Sequence, residues 1–177
     1  RKIGGSTRIN STAITSSPDV MGMHDFWLTG TTGSFTQKFM AATSDSKIYK
    51  EDMDGVFDDI TGAATITANA VPVFETFNDL AIILFSTNNT PLKWNQTGNV
   101  ATLGGSPQAG RGAVAHINRL HIWGADATPS TIYYSPYGDP ETWSGSDSGQ
   151  YTIDNDDGDR VICCKSHKDR LIIWKGP

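Results

Sequence analysis

Three times in this chain a short turn rich in Asn or Asp feeds directly into an apolar run led by leucine. The three units are Phe77-Asn78-Asp79-Leu80-Ala81-Ile82, Ile117-Asn118-Arg119-Leu120-His121-Ile122 and Lys168-Asp169-Arg170-Leu171-Ile172-Ile173. Asn and Asp tolerate the tight backbone of a hairpin, so each unit predicts a polar tip followed by a buried strand. Leu80, Leu120 and Leu171 recur at about 40 and then about 50 residues, the period of repeated sheets. The longer interval holds a Gly/Ser/Asp-rich insertion from Gly138 to Gly149. A further strand carrying an aromatic recurs at similar spacing, with Tyr49, Trp94 and Tyr134 as the aromatics.

The rest of the chain fits the same reading. Ala81-Ile82-Ile83-Leu84-Phe85 and Leu171-Ile172-Ile173-Trp174 are short apolar runs bounded by turn residues, and no segment carries a sustained helical stripe. Only Ala63 to Ala70 is rich in helix formers, and Thr and Ile interrupt it. The expected fold is all-β, built of antiparallel four-stranded sheets stacked as the blades of a partial β-propeller. One such sheet cannot bury both faces alone, and stacking buries each against its neighbour. The expected organisation is an entry segment over 1–23, then blades at about 24–70, 71–110 and 111–159, with the start of another over 160–177. A β-sandwich is the structural rival. A ring needs more blades than these, so a longer polypeptide is expected to continue on at least one side.

Charge narrows the function. With 14 Lys and Arg against 19 Asp and Glu, the net charge is −5, a poor basis for gripping phosphates. No apolar run approaches the roughly 20 residues of a bilayer span, so no membrane partner is expected. Nor does the opening Arg1-Lys2-Ile3-Gly4-Gly5 lead into the hydrophobic stretch of a signal peptide. The adjacent Cys163 and Cys164 point to opposite faces of a strand and imply neither a disulfide nor a zinc site.

Residues that could carry chemistry do not assemble into a known pattern. Asp154 to Asp159 is the densest acidic cluster, and it reads as a hairpin turn that Gly158 permits rather than a calcium loop. Gly145-Ser146-Asp147-Ser148-Gly149-Gln150-Tyr151-Thr152 comes close to the Asp box of sialidase-type propellers, itself a turn stabiliser. His116 and His121 would lie on opposite faces if they shared a strand, but a hairpin tip lies between them, and with His24 and His167 they form no ligand set. No catalytic residue, cofactor or metal is expected, and the chain is read as a non-enzyme. Trp123 and Trp174 hold equivalent repeat positions and are expected in the core between blades. Trp143, beside Tyr137 and Asp139 in a loop, is expected to contact another subunit or partner.

The stretch Ile117 to Gly124, then Ile132-Tyr133-Tyr134-Ser135, then Gly138 to Trp143 resembles the blades of phage tail nozzle proteins. These are also called tail tubular protein B, or the hub and stabilisation proteins of short-tailed phages. Tyr151 to Asp154, Asp156 to Ile162 and the Arg170-Leu171-Ile172-Ile173-Trp174-Lys175 strand are similar to that family's next connection, and Arg1 to Asn10 to its entry segment. The resemblance implies a structural virion protein located in the tail. It implies a homo-oligomeric ring of six copies, in contact with adaptor and portal-side proteins and with tail fibres. DNA would pass through the channel without sequence-specific binding. An acidic lumen suits such a conduit, since each Lys–phosphate contact would add affinity. The alternative expectation is a propeller module that binds host-surface glycans or receptors.

Overall fold

The computed structural model describes residues 12–29, 35–52, 54–85, 89–154 and 156–177. The entry-like Arg1 to Asn10 and Asn155 of the acidic run lie outside them. Fourteen strands, and no helix among the described residues, form four sheets in chain order. The first is β1 (Val20–Thr29), β2 (Phe35–Thr43), β3 (Lys47–Glu51) and β4 (Phe57–Asp59). The second is β5 (Val73–Phe77), β6 (Leu80–Leu84), β7 (Leu92–Trp94) and β8 (Ala101–Thr102). The third is β9 (Gly112–His116), β10 (Arg119–Trp123), β11 (Thr131–Tyr134) and β12 (Gly149–Thr152). The fourth is the pair β13 (Arg160–His167) and β14 (Arg170–Gly176). Every pairing is antiparallel between consecutive strands, and no sheet closes on itself. Ala63 to Ala70 forms turns and irregular chain rather than helix, because its Thr and Ile interrupt any apolar stripe.

The first strands of successive sheets run beside one another: β1 with β5, β5 with β9, and β9 with β13. A separate apolar core fills each interval between sheets. Phe26, Met40 and Ile48 meet Ala81, Ile83 and Trp94 in the first. Ile82 and Leu84 meet Leu120 and Ile122 in the second, and Trp123 and Ile132 meet Val161 and Cys164 in the third. This explains the unbroken apolar runs. In β6, Ala81 and Ile83 face backward while Ile82 and Leu84 face forward, so alternation puts apolar residues on both covered faces. Burying each Ile or Leu stabilises the fold by about 1.5–3 kcal/mol relative to exposure.

The hairpin tips correct the repeat alignment by one residue. Phe77 pairs with Leu80, His116 with Arg119 and His167 with Arg170, so the tips are 78–79, 117–118 and 168–169. Leu120 and Leu171 therefore match Ala81, not Leu80, and all three face the preceding sheet. The aromatics are not equivalent either. Trp94 pairs with Ala81 and faces backward, whereas Tyr134 pairs with His121 on the forward face.

Asn78 and Asp79 take φ of 47° and 58°, and Ile117 and Asn118 take 45° and 54°, the left-handed pair of a two-residue hairpin. For β-branched Ile117, which is exposed, that backbone is a true outlier. Ile117→Asn, the residue at the matching position 78, is expected to raise stability by about 1 kcal/mol, readable in urea unfolding. Cys164 is buried and its thiol is pushed up to about 12 by that burial, so it is an inert core residue. Cys163 lies on the opposite face, as alternation requires.

Candidate functional site

The Gly/Ser/Asp-rich insertion connects β11 to β12 and folds back over the second sheet. Its base is fixed at Ser135, whose N–H donates to the Leu120 carbonyl (2.9 Å) and whose Oγ accepts from Leu120 N–H (3.1 Å). Next, Gly138 N–H donates to the Asn118 carbonyl at 2.7 Å, and Asn78 Nδ2 donates to the Gly138 carbonyl. One loop residue thereby joins the tips of two neighbouring sheets. Lys93 of β7 pairs with Glu141. Arg119 holds the far side, with Nη2 on Asp147 Oδ1 at 2.5 Å and Nη1 on the Ser135 carbonyl at 3.0 Å. Asp147 also accepts from Tyr137 N–H at 2.9 Å, so this near-Asp-box aspartate does organise a turn.

The three residues singled out in this loop have different surroundings. Trp143 is half-buried against the core between the second and third sheets, and its Nε1–H donates to the Pro140 carbonyl at 2.8 Å. It anchors the loop within the chain. Asp139 accepts from Glu141 N–H at 2.8 Å, and the Thr142 hydroxyl and this N–H hold its carboxyl below the usual range. Tyr137 is 63% exposed, and through Gly138 it stands beside the tip that carries exposed Ile117. Sequence reasoning missed Ile117, although a β-branched residue before Asn at a hairpin tip is a legible signal. A pocket of about 200 Å³ opens next to Trp143, lined by Tyr133, Ser106, Gln108, Gly149 and Gln150.

Close approach at Gly105 locks the loop down. Gly105 has φ +71°, and a Cβ there would lie 2.4 Å from the Glu141 carbonyl oxygen. Gly105→Ala is expected to release the loop, read as faster proteolysis between Ser135 and Ser148 with the rest of the chain intact.

A second cluster lies on the forward face of the third sheet. His116 and His121 sit on adjacent strands of one hairpin and touch, with ring centroids 5.9 Å apart. The hairpin tip between them reverses the chain, so they do not share a strand and both rings lie on one face. Tyr151 stacks on Tyr134 at 4.8 Å and on His121 at 6.2 Å, and the Arg119 guanidinium lies over Tyr134. Burial lowers the His121 pKa to about 4, and its Nδ1 has no hydrogen-bond partner. His116 Nδ1 lies 2.9 Å from Ser166 Oγ, but the group facing that ring is a second imidazole rather than an orienting carboxylate.

In the acidic run, the Lys175 ammonium sits where a cation would. Nζ donates to the carbonyls of Ile153 (2.8 Å) and Asp154 (2.6 Å) and to both Asp157 oxygens. Its bond to Asp157 holds that carboxyl below its ordinary range. Among the described residues no group of three or more His, Cys, Asp or Glu could hold a metal. Calcium at about 1 mM, enough for a weak oxygen-lined site, is expected to leave the melting temperature unchanged.

Among the described residues most basic side chains are committed to carboxylates, for example Lys38 to Asp52, Lys47 to Asp59, Arg111 to Asp126 and Lys175 to Asp157. That leaves a poor footprint for phosphates. No helix among the described residues is long and apolar enough to cross a membrane. No protein-family model, curated protein or solved structure matches this chain.

Proposed function

We propose that this chain is a β-propeller segment with a structural role in the tail nozzle of a short-tailed phage, working by assembly rather than catalysis. The observation that carries the architectural half is the stack itself. Successive four-stranded meanders place their first strands side by side, with a separate core in each interval. This is how blades gather around an axis. The resemblance of Ile117–Gly124, Ile132–Ser135 and Gly138–Trp143 to nozzle blades supports the virion half. On this reading six copies ring the DNA exit channel and meet adaptor, portal-side and fibre proteins through rigid loops, with no enzymatic step. The loop from Ser135 to Ser148, braced by two hairpin tips and two ion pairs, is the contact element. Exposed Tyr137 and strained, exposed Ile117 are its apolar anchors.

Antibody labelling of virions tests this reading: gold is expected at the tail end, and label on the fibres or on no particle overturns it. Tyr137→Ser is expected to leave folding intact and lower incorporation into particles. Host glycan binding is the second reading, favoured by the pocket beside Trp143, where an aromatic wall faces amide side chains. Tight retention on host polysaccharide would favour it over the nozzle role.

A further inference from the structure

The pocket beside Trp143 is walled by separate parts of the chain. The connection from β8 to β9 gives Ser106 and Gln108, β11 gives Tyr133, β12 gives Gly149 and Gln150, and the long loop gives Trp143. Its volume of about 200 Å³ is below the roughly 300 Å³ at which drug-sized sites begin. That is room for one ring with its substituents and not for an extended chain. Two walls are held before any ligand arrives. Trp143 donates its indole N–H to the Pro140 carbonyl at 2.8 Å, and the Tyr133 hydroxyl lies 3.0 Å from that of Thr128.

The remaining polar groups of the pocket are uncommitted. Elsewhere on this loop polar side chains are paired, Glu141 with Lys93 and Asp147 with Arg119. Ser106, Gln108 and Gln150 are exposed and make no side-chain hydrogen bond among the described residues. Ser106 also takes φ of 56°, a backbone that serine rarely adopts, and strain of this kind gathers where ligands are held. None of the described residues lining the pocket is charged. Two amides and a hydroxyl offer both donors and acceptors, the match for a ligand's hydroxyl groups, and the aromatic wall matches an apolar ring face. A carboxylate or phosphate would leave water without a counter-charge to meet it. We propose that this pocket binds a single uncharged sugar ring, its C–H face against Trp143 and its hydroxyls on Ser106, Gln108 and Gln150. The inference rests on the glycan reading given above and adds which sugars qualify and which residues select them.

Saturation-transfer NMR titrations of the full chain test it, with methyl glycosides of neutral hexoses and N-acetylhexosamines set against glucuronic and sialic acids. At least one neutral glycoside is expected to bind at about 1 to 10 mM, the strength of one small ring in an open pocket. The acidic sugars are expected to bind at least about tenfold more weakly. Gln108→Ala combined with Gln150→Ala is expected to weaken binding at least about tenfold at an unchanged melting temperature, because both side chains are exposed. Trp143→Ala is expected to abolish binding but also loosens the loop, so the glutamine pair decides. Preference for the acidic sugars overturns the proposal, as does neutral-sugar binding that the glutamine pair leaves unchanged. Retention on a glycan array that survives the glutamine pair overturns the pocket assignment and leaves the glycan reading standing. A blank array together with a blank NMR panel overturns both.

Discussion

Trp94→Ala is expected to destabilise the chain by about 4 kcal/mol, the range seen when a large aromatic is removed from a packed core. Trp94 is 1% exposed, its ring lies 5.9 Å from Phe26 of the first sheet, and its Nε1–H donates to the Gly98 carbonyl at 3.0 Å. The loss combines an interval core with a hydrogen bond that pins the turn after β7. For a domain of this size it corresponds to about 10 °C in melting temperature. Trp174→Ala, by contrast, is expected to change monomer stability by less than about 0.5 kcal/mol, because its face is open. Parallel urea titrations read both. Equal effects would mean the fourth sheet's outer face is as enclosed as the first interval, and the stack as described would be wrong.

Lowering the pH from 7 to 4 is expected to remove about 3 kcal/mol of stability through His121 alone. The folded chain holds this imidazole neutral by burial, with its pKa lowered from the ordinary 6.5 to about 4. Below 6.5 the unfolded chain takes up a proton that the folded chain refuses until about 4. The stabilisation is therefore complete above the unfolded value, declines as pH falls through this window, and levels off below it. His116 and Arg119 on the same hairpin push in the same direction, while Tyr134 and Tyr151 supply the aromatic walls. His24, also lowered by burial, adds to the slope, and Glu75, raised by burial, opposes it. His121→Ile, which installs the residue found at the matching positions 82 and 172, is expected to flatten the profile between pH 6.5 and 4. Profiles of equal steepness for the two chains would show that His121 is not the source.

Much of the architecture is legible from local chemistry. Asn78-Asp79 and Lys168-Asp169 predict hairpin tips because of what their side chains allow the backbone to do, and the tips are there. Unbroken apolar runs such as Ala81 to Phe85 require cover on both faces, which the stacked sheets provide. Trp123 and Trp174 are equivalent in register, but the expectation that both lie in a core between sheets fails for Trp174, which is open while Trp123 is enclosed. Position in a repeat says which way a side chain points and nothing about what stands opposite.

The candidate site was less legible. Trp143, Tyr137 and Asp139 share one loop, but composition cannot tell that Trp143 turns inward while Tyr137 remains exposed. That outcome follows from Gly105, in the turn after β8, admitting the Glu141 carbonyl and from Lys93 of β7 reaching Glu141. The acidic run from Asp154 looked self-contained, and Lys175 enters it from the far end of another strand.

Strand type, tip chemistry and two-sided burial were determined by the amino-acid sequence alone, because they are nearest-neighbour properties of turn residues and of alternation along a strand. Only the tertiary structure decided the register and the facing partners. A slip of one residue, as between Leu80 and Ala81, turns every side chain to the opposite face. The partner that selects among such registers lies in another sheet, about 40 residues away along the chain.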